Sequence, residues 1–230
     1  MVNTQKSINV DKRIVRNKIP YCFLFVFTLF FCVFTIGMSY LDASRLQNTR
    51  LNGAEYDIDT MNGFTSEQLN ILQQNQSIQS VGMESYAGFI QSTEYDKTVE
   101  IGLLWCDEVF WDNLMSPART KLDGHYPQNK NELMVTKDIL KTCGNENLSV
   151  GDSLILTYEN NIGVYTDEFV ISGIWDGYGD TSAGFVSKAF YDETGYDLKN
   201  NGILCIKLNC NYVCRTTIQC IEKSLDFSDR

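Results

Sequence analysis

One long apolar run dominates the pattern of hydrophobic and polar positions along the chain. Residues 21–41 contain no charged side chain. As a helix rising ~1.5 Å per residue, this run spans roughly 31 Å, which matches the ~30 Å hydrocarbon core of a bilayer. Five basic side chains and one acid precede it in residues 1–20, and Pro20 suits the first turn of a helix. The pattern predicts a transmembrane helix over 21–41, with a basic tail, 1–20, in the cytoplasm.

A cleaved signal peptide is the main alternative for this run. Such a peptide has a shorter apolar core, of about 7–15 residues, followed by a small-x-small cleavage site. Here the core is longer, and the exit sequence around Asp42 is a poor cleavage site. We therefore favour an uncleaved anchor in the cell membrane, with one span and with everything after it outside.

Beyond the membrane the pattern alternates between strand and helix periods. Residues 42–53 continue the helix as a stalk that Gly53 ends. Period-two alternation predicts strands at 54–60, 77–91, 98–106, 132–136, 153–158, 167–174, 184–187 and 202–208. Helices are predicted at 66–74 (capped by Thr65 or Ser66), 108–115, 136–143, 188–194 and 215–225, and a loop at 122–131. The mixture predicts an α+β fold, an extracellular mixed α/β domain over 54–230 with a β-rich sub-lobe at about 122–176 as a candidate insertion.

Charge is distributed unevenly along the chain, whose formal net charge is −10. Residues 1–20 are net +4, whereas residues 42–230 carry 14 basic and 28 acidic side chains. An external domain this acidic argues against nucleic acid or anionic headgroups as partners. It is compatible with a cationic ligand such as a basic peptide, although the solubility of an exposed acidic domain is the favoured explanation of the acidity.

The cysteines do not form a metal-binding pattern. Two of the eight, Cys22 and Cys32, lie within the span. The other six lie outside it, without any C-x-x-C spacing: Cys106, Cys143, Cys205, Cys210, Cys214 and Cys220. They are either small buried hydrophobes or partners in one or two disulfides, and both interpretations stay open.

Catalytic motifs are missing from the sequence. It contains no nucleotide-binding G-x-x-x-x-G-K-[ST] loop, H-E-x-x-H zinc site, G-x-S-x-G elbow or S-x-x-K pair. The single histidine, His125, sits in a polar loop, and the loop 176–180 lacks the alternating ligands of a calcium site. The adjacent acid pairs at 107–108, 167–168 and 192–193 point apart and suit caps and solvated faces. We expect no enzyme activity, no cofactor, and no catalytic, cofactor-binding or metal residues.

Three short motifs follow one another in a characteristic order. They are Gly124-x-Tyr126-Pro127-x-Asn129-x-Asn131-Glu132-Leu133-Met134-Val135, then Val150-Gly151-Asp152-x-Leu154-x-Leu156, then Phe169-x-Ile171-Ser172-Gly173-Ile174. This order resembles the extracellular domain of ABC transporter permeases of the FtsX/MacB-like family, especially those of Gram-positive bacteria. The resemblance covers roughly residues 10–225. It implies structural turns at the Gly-Tyr-Pro and Gly-Asp positions and no catalytic residues.

The resemblance also implies a function and partners. Such a permease works with a separate cytoplasmic ATP-binding subunit and a second permease half or copy, and the stalk passes motion to the MacB-like core domain outside. This mechanotransmission serves the export or handling of peptides, lipoproteins or antimicrobials. Family members have three further spans, so the chain is expected to be the N-terminal part of a permease. The alternative is a single-span, membrane-anchored extracellular binding or sensor module without transport activity.

Overall fold

The computed structural model describes residues 3–91, 101–178, 183–209 and 219, with side chains from Pro20 onward. The chain divides into two compact units, 1–47 and 48–230. The predicted closing helix 215–225 lies outside the described residues except at residue 219, as do Cys210, Cys214 and Cys220.

The described part of the first unit is a single helix, α1, which runs from Asn3 to Asn52. Its last residues belong to the second unit. Its part from Pro20 to Asn52 is long and apolar enough to cross a membrane. The predicted helix start at Pro20 is wrong, because the missing N–H there costs one helical hydrogen bond without ending the helix. The predicted continuation through 42–52 is confirmed. Gly53, with φ 74°, follows the last turn in the left-handed conformation that commonly ends helices.

The second unit is an α+β domain, as the sequence predicts. Its helices are α2 Ser66–Gln74, α3 Lys137–Thr142, α4 Lys188–Tyr191 and α5 Leu198–Asn201, together with a π-helical turn Val109–Leu114 and a 3₁₀ turn Ser116–Ala118. Its strands are β1 Ile58–Thr60, β2 Ile78–Ile90, β3 Ile101–Cys106, β4 Arg119–Gly124, β5 Glu132–Thr136, β6 Ser153–Glu159, β7 Val164–Gly177, β8 Ala183–Val186 and β9 Gly202–Leu208.

The nine strands found in the described residues form one mixed sheet in the order β1-β9-β2-β3-β8-β5-β7-β4, and β6 pairs with both β2 and β7. The pairs β3–β8 and β5–β7 are parallel, and the remaining pairs are antiparallel. The strands between residues 119 and 177 are therefore continuous with the rest of the sheet.

The predicted loop at 122–131 is wrong at its start, because Leu122–Gly124 belong to β4. Nearly every side chain of this edge strand is exposed, so no hydrophobic alternation marks it in the sequence. Backbone pairing holds it instead, with Leu122 opposite Trp175 of β7.

The predicted helix at 108–115 is also corrected, to the π-helical turn. Met115 N–H donates to Phe110 O at 2.8 Å, five residues back, as in a π-helix. The turn packs Phe110 and Leu114 against β2 at Gly82, whereas its Trp111 ring packs against Phe185. A Cβ on Gly82 would lie 2.8 Å from Phe110 Cα, so the close approach requires glycine there.

Apolar side chains fill both faces of the sheet. One large cluster includes Leu103, Leu133, Leu156 and Phe169, and a second gathers around Trp111, Trp175 and Phe185. A third cluster packs α2 onto β9 through Leu72, Leu204 and Ile206. The helix predicted at 188–194 is shortened to α4, and α5 carries no fully buried residue that could have marked it.

Candidate functional site

Sheet topology brings three chain segments together at one edge. Because β3 and β8 are parallel, with Leu104 opposite Phe185, their carboxyl ends lie side by side. Asp107 follows β3, and Lys188 comes two residues after β8. The segment Tyr126–Pro127 leads into β5, which pairs with β8 in the antiparallel sense. The three segments line one open cavity of about 520 Å³.

Tyr126 holds this edge together through its hydroxyl. The hydroxyl oxygen lies 3.0 Å from Cys106 N, whose N–H donates to it. It also lies 3.2 Å from each of two acceptors, Cys106 O and Val186 O, to either of which the phenol can donate. Burial raises the pKa of the Tyr126 phenol well above its usual range. Tyr126 is therefore a neutral hydrogen-bonding bridge between the ends of β3 and β8.

The π-helical turn supplies three carboxylates to the cavity: those of Asp107, Glu108 and Asp112. Asp107 Oδ1 accepts from Met83 N at 3.0 Å and from Phe110 N at 2.8 Å, so it caps the turn as the sequence predicts. Burial raises the pKa of this carboxyl, and these two hydrogen bonds act in the opposite direction. Glu108 and Asp112 are exposed, and among the described residues neither forms an ion pair.

Aromatic rings form the walls of the cavity, and cations already lie against two of them. Lys188 Nζ is 5.0 Å from the centre of the Trp105 ring. Arg119 Cζ is 4.1 Å from the centre of the Trp111 ring. These distances are within the range of cation–π attraction, which strengthens where water is excluded. Lys188 also pairs with Asp192, one turn along α4.

The polar residues that drew attention in the sequence are scattered. His125 is exposed, and its Nδ1 is 3.0 Å from Tyr126 O. Asp167 accepts a hydrogen bond from the Tyr158 hydroxyl at 2.7 Å, whereas its neighbour Glu168 is exposed. Asp192 pairs with its helix neighbour and Glu193 with Lys130. Asp176 is exposed, and Asp180 lies outside the described residues.

The thiols outside the span behave as buried apolar groups where they are described. Cys106 and Cys205 are buried, Cys143 is half-buried, and all three are free. Burial raises the pKa of each thiol, which lowers its reactivity. Among the described residues, no three His, Cys, Asp or Glu side chains come together as metal ligands.

Comparisons with known proteins find similar folds only among solved structures. No protein-family model matches the chain, and no curated protein matches it. The periplasmic region of MacB from Actinobacillus actinomycetemcomitans is similar at 13% identity and TM-score 0.47, over 72% of this chain and 74% of that one. The extracellular domain of the noncanonic ABC-type transporter YknZ from Gram-positive bacteria is similar at 12% identity and TM-score 0.45, over 72% and 84%.

Proposed function

We propose that this chain is the N-terminal part of an ABC transporter permease subunit, with a first span at 21–41, a stalk at 42–53 and an extracellular MacB-like core domain at 54–230. The basic tail 1–20 lies in the cytoplasm, where a separate ATP-binding subunit acts. Hydrolysis there moves the span, and the stalk passes the motion to the domain. The role is mechanical and not enzymatic, and the cargo class is peptides, lipoproteins or antimicrobials.

The observation that carries this proposal is the continuity of α1. Its stretch 21–41 presents apolar side chains around the whole helix, with Met38 alone half-buried. Its last turn, by contrast, belongs to the folded domain: Thr49 is 6% exposed, and the Arg50 guanidinium lies 4.0 Å from the centre of the Tyr178 ring. An unbroken helix between an apolar segment and a packed anchor is suited to transmitting displacement. The order of the three sequence motifs supports the same role.

The decisive experiment looks for an ATP-dependent change in the domain. The tagged chain is captured from membranes of its source in mild detergent, and the co-purified polypeptides are identified. We expect a subunit with a G-x-x-x-x-G-K-[ST] loop, and we expect ATP to alter amide hydrogen exchange within residues 48–209. A chain that retrieves no such subunit and does not respond to ATP would be a single-span binding or sensor module.

The stalk offers a matched pair of variants. Ala43→Pro removes a helical hydrogen bond and kinks α1 between the apolar run and the domain, at a cost of ~3 kcal/mol or more. Ala43→Ser leaves the helix intact. We expect the proline variant to retain the ATP-binding subunit and to lose the ATP-dependent exchange change, while the serine variant keeps both. An unchanged response in the proline variant would contradict transmission through the stalk.

A further inference from the structure

We propose that the cavity at the ends of β3 and β8 binds the basic side chain of a peptide, through its primary ammonium or guanidinium group. Its volume of about 520 Å³ lies within the range of about 300–1,000 Å³ that is typical of ligand pockets. A lysine or arginine side chain with its flanking backbone fits this space. Binding at this cavity does not require the transport role proposed above.

Charge complementarity is the first argument for a cation. The lining side chains include three carboxylates, on Asp107, Glu108 and Asp112, against one ammonium, on Lys188. Both hydrogen bonds of the Asp107 carboxylate end on Oδ1. The Lys188 ammonium is itself paired with Asp192 outside the cavity lining, so it neutralises the three carboxylates incompletely. Arg119, which lies over Trp111 outside the lining, also attracts the Asp112 carboxylate. With both cations counted, three carboxylates face two positive groups, so an incoming ammonium would still meet a net negative site.

The walls give the second, independent argument. Trp105, Trp111 and Tyr126 bound the cavity, and an indole ring is the best aromatic partner of a cation. Both indoles already hold a cation of the protein itself, Lys188 Nζ at 5.0 Å and Arg119 Cζ at 4.1 Å. The aliphatic part of a lysine or arginine can lie along these rings while its charged end reaches the carboxylates.

Shape and charge have different origins in this site. Asp107 and Tyr126 hold strand ends and a turn in place, whereas Glu108 and Asp112 are exposed and, among the described residues, accept no hydrogen bond. Replacing the latter two acids by amides therefore removes two charges from the cavity with little effect on folding. Surface charge pairs are weak individually and are screened by salt, so the loss of both is expected to weaken binding about five- to tenfold at low salt.

The test uses the full chain in nanodiscs of phosphatidylcholine, whose neutral surface does not attract a basic peptide. The probes are tetralysine and tetraglutamate, and the signal is tryptophan fluorescence, to which Trp105 and Trp111 contribute from the cavity wall. We expect saturable binding of tetralysine and no response to tetraglutamate. The double variant Glu108→Gln/Asp112→Asn should raise the Kd of tetralysine about five- to tenfold.

Two controls separate the cavity from general attraction and from misfolding. Asp123→Asn/Glu168→Gln removes the same two charges from exposed positions outside the cavity lining and should change the Kd less than twofold. Lys188→Gln removes the competing ammonium and should tighten binding about two- to threefold, which a damaged fold would not do. The proposal would be overturned if both double variants lost the same affinity for tetralysine, or if Lys188→Gln left that affinity unchanged. Binding of tetraglutamate would overturn it as well.

Discussion

Replacing Tyr126 by phenylalanine removes one oxygen atom from the junction of β3 and β8. The ring contacts survive, because the ring centre stays 5.1 Å from that of Trp111 and 6.0 Å from that of Phe185. What is lost is the acceptor for the Cys106 N–H, 3.0 Å away, and the donor to the carbonyl of Val186 or Cys106. The substitution therefore isolates the contribution of the hydroxyl.

The expected cost follows from the state of the groups left behind. Cys106 is 2% exposed, and its N–H loses its partner where water has little access. An unsatisfied buried donor costs about 1–3 kcal/mol, so we expect the free energy of unfolding to fall by about 2 kcal/mol. For a domain of this size that corresponds to a fall in Tm of about 4–8 °C.

Thermal unfolding of the full chain in detergent, followed by near-UV circular dichroism, measures this change. The signal from the three tryptophans reports on the domain, since all three lie in β3, the π-helical turn and β7. Tyr86→Phe is the matched control, because Tyr86 is 41% exposed and its hydroxyl forms no hydrogen bond among the described residues. It should cost less than about 0.5 kcal/mol. Equal shifts in the two variants would refute the bridging role of Tyr126.

Three further predictions concern other parts of the domain. Burial raises the pKa of Glu84 to about 7, so near neutral pH the folded state keeps a proton that the unfolded state has lost. The free energy of unfolding should therefore fall by roughly 2 kcal/mol as the pH rises from about 5 to 8. Thermal melts of Glu84→Gln should lack that fall. Gly124→Ala, with φ 90° and a Cβ 2.2 Å from Ser172 O, should cost about 3 kcal/mol or more in urea unfolding. At Gly151, with φ 95°, an added Cβ would have no neighbour within 4 Å, so Gly151→Ala should cost only about 1 kcal/mol. Equal costs for the two alanine variants would argue against the clash at Gly124. Thr65→Ala should cost about 1 kcal/mol in the same assay and Thr65→Ser almost nothing, because Thr65 Oγ1 caps α2.

Elements with strong local signals could be predicted from the sequence to within about a residue. Helix α2 begins where Thr65 and Gln68 form a capping box, and its bounds match the prediction. Strands β5 and β9 match their predicted bounds because turns or caps limit short apolar runs. At these positions local propensity and burial point to the same structure.

Elements that depend on distant partners could not be predicted. Strand β4 is almost entirely exposed and exists through its pairing with β7, about 50 residues further along. The π-helical turn has an α-helical apolar pattern, and its wider form is accompanied by close packing on Gly82. Neither the sequence spacing nor the period of apolar residues contains this information.

The cavity is a second feature that could not be predicted from the sequence. The sequence predicts a cap at the acid pair 107–108 and a structural turn at Tyr126, and both residues Asp107 and Tyr126 have those local roles. Their meeting depends on the parallel pairing of β3 with β8, which follow one another only after some 80 residues. A local pattern cannot distinguish a parallel from an antiparallel partner at that separation, so the site depends on the sheet order and not on any local motif.

The shape and the charge of the cavity depend on different residues. Tyr126, Asp107 and the buried tryptophans are tied to strand ends and to the core, so replacing them costs stability. Glu108 and Asp112 are exposed and accept no hydrogen bond among the described residues, and Asp112 attracts Arg119 only through its charge, so both acids can be replaced at little cost to the fold. A domain with this fold could therefore keep one cavity shape and change the charge of the ligand it accepts through two positions. The charge-reversing variant Glu108→Lys/Asp112→Lys should unfold within about 1 kcal/mol of the unmodified chain while its preference moves from tetralysine to tetraglutamate. A loss of both stability and binding would show that the two acids also shape the cavity.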